Sequence, residues 1–388
     1  MSDKLQKKER LASLDILRGL DIFFLTVLTG VLFKLDRWIK LPKWLLDQLI
    51  HPAWEGFTAY DMIMPLFIFM CGAALPLALP RYLDEDGKAR SKYIRHVLSR
   101  SAMLWVTGMA VQGELLSFDL HRISFFNNTL QTIAVGYLAA AAVFLIKRLY
   151  LRIAIPFLLA FVYTLFLHCC GDMTPTGNAA VIYEVKFLSL FYPDASWHPV
   201  KQISDWHYTW WTTLPMFAVM GLCGSHATSI LKTNYSKAKK ACLLAGVGAA
   251  LLLLGAVFST FDPVVKHIFT ASFTSFAMGV SFLLYAICYW LFDILQIRRG
   301  TYLLTLFGRH SLFAYVGANL FGRLTWVVAT LILTGATSGP GFPKGLSRFM
   351  SPELFGFVLI LLRACVLALA IWFWHDYTKR RAESRRLS

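Results

Sequence analysis

Charge is scarce in this chain. Only 15% of its 388 residues are Asp, Glu, Lys or Arg, against 57% hydrophobic and 15% aromatic. A soluble domain of this length needs far more charged surface, so that class is excluded. There is no glycine-rich loop of the Walker type and no His-Glu-x-x-His pair, and the seven Cys show no metal-ligand spacing. No metal site is therefore expected. No polar stretch is long enough to bind a nucleotide by itself, so any cofactor has to lie among helices or in their loops. The first apolar run lacks a small-residue cleavage pattern, and no cleavable signal peptide is expected. Cys169 and Cys170 are adjacent, and buried thiols are expected there before a disulfide.

What the chain does have is apolar runs near bilayer length, one after another. They predict an all-α, polytopic transmembrane helical bundle, read as a single integral membrane domain over residues 1–388. The expected spans, about ten in number, cover 14–33, 60–79, 97–116, 129–146, 151–169, 209–231, 241–261, 269–294, 302–334 and 354–377. The run 302–334 would be about 50 Å long as one helix, against a hydrocarbon core of about 30 Å. It is either one broken span or two short ones. Residues 170–208 form the longest polar excursion, and their recurring aromatics predict a folded loop rather than a disordered one.

The net charge of +16 does not imply nucleic acid, because membrane proteins gather Lys and Arg in their cytoplasmic loops. Basic residues cluster in 1–12, 81–100, 147–152, 232–240, 298–299 and 379–386. In a ten-span arrangement these all fall on one side. Both termini are then cytoplasmic, with 1–12 and 378–388 as tails, and His51, the 170–208 loop and the 335–353 loop face outward. The bilayer is the expected partner, with Trp38, Trp44 and Trp54 as interfacial anchors.

The polar residues worth weighing stand at the span ends. The stretch HPAWEGFTAYDMIMPLFIFMCG, at 51–72, places His51, Glu55 and Asp61 at the mouth of an apolar run. Ten residues apart, His51 and Asp61 can meet only if the loop between them folds back. The carboxylate would then fix the imidazole tautomer and leave the second nitrogen to take a proton or an acyl group. The other reading is an interfacial His51 with Asp61 at a helix N-terminus, where negative charge is favoured. Pro65 is expected to interrupt the helix. Asp15 and Arg18, three apart, share a helix face and either pair at the membrane boundary or bind an anion. Lys266 precedes Thr270, Ser272 and Thr274, and either snorkels or faces a site. Arg309, His310 and Arg323 lie in an apolar run, where they need phosphates or an acid such as Asp293. His375 and Asp376 read as interfacial.

Three blocks carry a resemblance: SLDILRG at 13–19, the 51–72 stretch, and LQTIAVGY at 130–137, with weaker echoes in FDPVVKHIFTASF at 261–273 and FGRHSLFAYVG at 307–317. Together they resemble the heparan-alpha-glucosaminide N-acetyltransferase family of membrane acyltransferases, including its bacterial members. The resemblance implies transfer of an acetyl group from cytoplasmic acetyl-CoA to an amino sugar or glycan amine outside, by a homodimer in a bacterial inner membrane. It implies His51 and Asp61 as the catalytic pair. Arg18, Gln131, Lys266, Arg309 and His310 become candidates for holding acetyl-CoA, and Trp54, Glu55 and Asp15 for contacting the acceptor. Glu55 stands where the family commonly has Asn, and Thr132 where it commonly has Arg. A sugar transporter and a glycan O-acetyltransferase are the alternative activities.

Overall fold

The computed structural model describes residues 11–78, 87–192, 194, 198–320 and 352–387. In order, the helices are α1 (Ala12–Ile39), α2 (Lys43–Asp47), α3 (Ala59–Ala78), α4 (Gly87–Val111), α5 (Thr129–Phe144), α6 (Leu149–Cys170), α7 (Ala179–Leu188), α8 (His198–Trp206), α9 (Leu214–Leu231), α10 (Lys237–Phe258), α11 (Ala271–Ile294), α12 (Tyr302–Arg309), α13 (Ser311–Leu320) and α14 (Pro352–Leu387). Among the described residues there is no β-sheet, only one isolated bridge between Glu55 and Val265. The protein is a polytopic bundle of membrane helices.

Among the described residues, seven helices are long and apolar enough to cross a bilayer: α1, α3, α6, α9, α10, α11 and α14. Helix α4, expected as a span, is not among them, because its first half is strongly basic. Helix α5 is apolar but only 16 residues long. In their most apolar windows α3 buries 83% of its residues, whereas α6, α10 and α14 bury 17%, 22% and 11%. Helix α3 is thus a core element, and the other three turn most of their side chains outward, as a lipid-facing helix does.

The chain divides into two compact units. The first comprises 1–40, 237–241 and 284–388. Its α1 lacks a side-chain N-cap from its own Leu11. Asp293 supplies one instead, its carboxylate accepting from the Ala12 and Ser13 amides at 3.0 and 3.1 Å. Asp293 was one acid open to the cations of the 302–334 run, and its work here is done at a helix N-terminus, where orphan N–H groups favour an anion. Helices α1 and α12 pack backbone to backbone, Gly308 against the Asp15 carbonyl and Gly19 against that of Leu304. The run expected as 302–334 is not one straight helix, since the chain turns at His310 between α12 and α13. Residues 321–334, like most of the expected 335–353 loop, lie outside the described residues.

The second unit comprises 41–236 and 242–283. Its centre is the contact of α3, α5 and α9 through Gly72, Gly136 and Gly221. A Cβ on Gly72 would run into the Gly221 carbonyl, and one on Gly221 into the Gly136 carbonyl. This is the close approach that small residues permit between membrane helices. Pro65 does not interrupt α3. It falls in the first turn after Ile63, where the amide it lacks has no partner to lose. The interior proline is Pro76. Cys169 and Cys170 are exposed free thiols rather than the buried ones expected, while Cys71 and Cys288 are buried.

Over its described residues the 170–208 excursion is folded, as its aromatic content predicts, and carries α7 and α8. Glu184 of α7, with no exposed surface, holds it in place. Its carboxylate accepts from the Trp210 amide at 2.7 and 2.9 Å, and from the Thr212 amide and hydroxyl at 3.0 and 2.8 Å. Burial pushes this carboxyl up, and the amide donors pull it back.

Two outcomes check this account by thermal unfolding in detergent. Glu184→Ala leaves three part-buried donors without their acceptor and should cost about 1–3 kcal/mol for each that water does not reach, a clear drop in midpoint. Gly221→Leu should destabilise by at least about 1–3 kcal/mol, because the atoms it meets are backbone and cannot rotate away.

Candidate functional site

The site is built on the Asp61 carboxylate in the second unit. Asp61 has no exposed surface. It sits in the 3₁₀ turn that opens α3, where Thr58 and Asp61 form a capping box. Its Oδ2 accepts from the Thr58 amide and hydroxyl, each at 3.0 Å. Its Oδ1 accepts from His51 Nδ1 at 2.6 Å and from Lys266 Nζ at 3.3 Å. The two readings of this stretch are therefore both realised: Asp61 caps a helix and also meets the imidazole. With Nδ1 turned to the carboxylate, the His51 proton belongs on that nitrogen and Nε2 keeps its lone pair. His51 is also exposed, its side chain 44% open, so Nε2 can be reached.

The fold-back that spacing alone left open has a backbone cause. Gly56 adopts φ +143°, and its amide donates to the Val264 carbonyl at 2.8 Å. Next to it, Glu55 bridges to Val265. That pairing lays the 51–57 loop along the 262–270 loop and delivers Lys266 to His51. The 262–270 loop is itself pinned on several sides. Asp262, fully buried, accepts from the Ser272 amide at 3.0 Å and contacts His168 Nε2 at 3.2 Å. Tyr163 donates to the Ile268 carbonyl at 2.6 Å, and the Thr209 amide to that of His267 at 3.0 Å. Phe269 is held at φ +47°, a conformation uncommon for a residue with a side chain.

Lys266 is 7% exposed. Its Nζ lies 3.3 Å from His51 Nδ1 and 3.4 Å from Nε2. Near-equal distances to the two nitrogens put the amine over the ring face, in line with neither lone pair. Burial pushes Lys266 down to about 8, with the Asp61 charge opposing the shift. His267 is pushed down to about 4, by burial first and then by the neighbouring His51 and Lys266, and stays neutral at pH 7. Aromatic rings complete the surroundings. Tyr60 lies 4.8 Å from His51, and Trp54 stacks on His267 at 5.4 Å. Trp54 Nε1 donates to the Met173 carbonyl at 2.9 Å, which ties the 51–57 loop to the segment after α6. Burial raises the Tyr208 phenol well above its ordinary value, and the Asp61 charge adds to the shift.

The remaining candidates fall elsewhere. Glu55 is exposed and contributes through its backbone. Gln131 is fully buried and ties the start of α5. It accepts from Asn127 N and Asn128 Nδ2 and donates to the Phe125 carbonyl. Asp15, Arg18, Arg309 and His310 belong to the first unit. There Arg18 and Arg309 approach Asp15 at 4.0 and 3.5 Å, and His310 Nε2 meets His375 Nδ1 at 3.0 Å. Arg323 lies outside the described residues. Among the described residues no group of three His, Cys, Asp or Glu is placed to hold a metal ion.

His168, Asp262, Tyr163 and Tyr208 were missed from sequence. The FDPVVK turn hinted at Asp262, but no spacing links residues so far apart in the chain. The arrangement defines a class of protein: a polytopic membrane-helix bundle with a solvent-reachable imidazole backed by a buried carboxylate and a buried amine. No protein-family model matches the chain, and no curated protein sequence matches it.

The Asp61–Lys266 pair yields a stability prediction. Asp61→Asn leaves the Lys266 charge buried without its counter-ion and should cost about 3–5 kcal/mol. Asp61→Asn combined with Lys266→Met should be more stable than Asp61→Asn alone. Thermal unfolding of the singles and the double gives the coupling, and strict additivity would show the pair to be uncoupled.

Proposed function

We propose that the chain is a membrane acetyltransferase, with His51 and Asp61 as its catalytic pair. The observation that carries this reading is the 2.6 Å contact between His51 Nδ1 and the buried Asp61 carboxylate, with Nε2 left reachable. The motif resemblance at 51–72 names the reaction. Acetyl-CoA is the donor, approaching from the cytoplasmic side, where the basic loops attract its phosphates. The acceptor is the amine of an amino sugar or glycan on the outer side of a bacterial inner membrane, and the working unit is a homodimer. Tyr60 offers a ring beside the His51 imidazole, which suits the apolar face of a pyranose, and Trp54 and Tyr208 pack against the neighbouring His267.

In the transfer, the neutral acceptor nitrogen attacks the thioester carbonyl. His51 Nε2 takes its proton, the C–S bond breaks, and the thiolate leaves to be protonated as the free thiol. In the covalent variant, Nε2 attacks first and carries the acetyl group to the acceptor. In both, Asp61 holds the tautomer and stabilises positive charge on the ring. Arg18 and Arg309, converging on Asp15, present guanidinium groups of the kind that accept phosphate.

Purified protein given acetyl-CoA and glucosamine should form N-acetylglucosamine. His51→Ala should reduce the rate by about 10²–10⁴-fold, the usual contribution of a general base. An alkali-labile product would mark an ester and an O-acetyltransferase. Solute flux in liposomes without thiol release would mark a transporter, and full activity in His51→Ala would remove the imidazole from the mechanism.

A further inference from the structure

The position of Lys266 has a chemical consequence beyond pairing with Asp61. An acyl group on His51 Nε2 is conjugated with the imidazole and lies in the plane of the ring. The Lys266 amine lies over the face of that ring, 3.4 Å from Nε2. From there a small swing of its flexible four-carbon stem toward Nε2 brings the amine to the acyl carbon, and a nucleophile adds to a carbonyl from above its plane at near-attack separations of about 3–3.5 Å. We propose that Lys266 is an internal acyl acceptor: when no external acceptor is bound, it captures the acyl group from His51 as a stable Nε-acyl-lysine and silences the site. The proposal rests on the acyl-transfer reading of this site.

The steps balance. His51 Nε2 attacks the activated acyl donor, and the thiolate or phenolate leaves, taking up the proton that the ring releases from Nδ1. The neutral Lys266 amine then attacks the acyl carbon. The bond from that carbon to Nε2 breaks, the amide bond forms at Nζ, and one amine proton returns to the imidazole. The products are acyl-lysine and free histidine. Capture also removes the positive charge that Lys266 offers Asp61, so a carboxylate with no exposed surface is left facing a neutral amide N–H in place of its ammonium partner. That loss is what makes the captured state inactive rather than merely modified.

Capture requires the neutral amine. The groups around it are the Asp61 carboxylate, His51, His267 and, one layer further, His207 and the Tyr208 phenol. Asp61 holds the proton on Lys266 and burial expels it. With Lys266 pushed down to about 8, a minority of the amine is neutral at pH 7 and most of it at pH 9. Capture therefore accelerates as pH rises, by about tenfold across that interval. A bound amino-sugar acceptor competes for the same acyl carbon and suppresses capture.

The test is peptide mass spectrometry of the full-length protein in detergent. The protein is incubated separately with acetyl-CoA and with p-nitrophenyl acetate, a small acyl donor that needs no CoA site. The expected result is one acetyl group on Lys266, faster at pH 9 than at pH 7 and reduced by glucosamine. It should be lost in His51→Ala, and absent from the 266 position in Lys266→Arg. Labelling by p-nitrophenyl acetate alone supports capture and defeats acetyl-CoA as donor. Acetyl retained on His51 with Lys266 unmodified overturns the proposal. So does equal labelling of Lys266 in His51→Ala, or no labelling from either reagent.

Discussion

A carboxylate with no contact with water is costly unless every lone pair is matched. Asp61 meets that demand with four donors drawn from three places in the chain: the amide and hydroxyl of Thr58, the imidazole of His51 and the amine of Lys266. Each donor has to be brought there, and the surrounding architecture follows from doing so. The capping box sets the start of α3. The Glu55–Val265 bridge aligns two loops that are two hundred residues apart in sequence. Asp262, Tyr163 and Thr209 fix the second of those loops. Removing the charge at Asp61 would leave each of these devices without its purpose.

Its effect on His51 is chemical as well as structural. Binding one nitrogen to an anion decides which nitrogen faces outward with a lone pair. The lysine over the ring face adds a second proton-holding group whose state changes close to neutrality, because burial and the Asp61 charge pull it in opposite directions. A base, a carboxylate and an amine within hydrogen-bonding distance of each other form a small reservoir for protons at the end of a membrane helix. The rings of Trp54, Tyr60 and Tyr208 give that reservoir a wall with flat apolar faces.

The parts legible in sequence were those with a local signature. Apolar runs located the helices, though α4 and α5 fall short of the span criterion, one from basic residues and the other from length. The polar mouth at 51–61 was legible because charged side chains are rare next to an apolar run. Lys266 was visible as a lysine beside a span, but its meeting with His51 depends on a single backbone bridge, which no periodicity encodes. Nothing near Glu184 in sequence announces the amides of Trp210 and Thr212 as its partners. Pro65 was misjudged because the helix register was taken to begin earlier. A proline in the first regular turn breaks nothing, whereas the one at 76 lies inside the helix.

The tether at Glu184 fixes where α7 stands. All four of its bonds run to main-chain amides or to a hydroxyl beside them, so α7 cannot swing away from the 210–212 segment without abandoning a desolvated anion. Helix α7 is accordingly a fixed wall beside that segment, free to change by side-chain rotamers rather than by a swinging backbone.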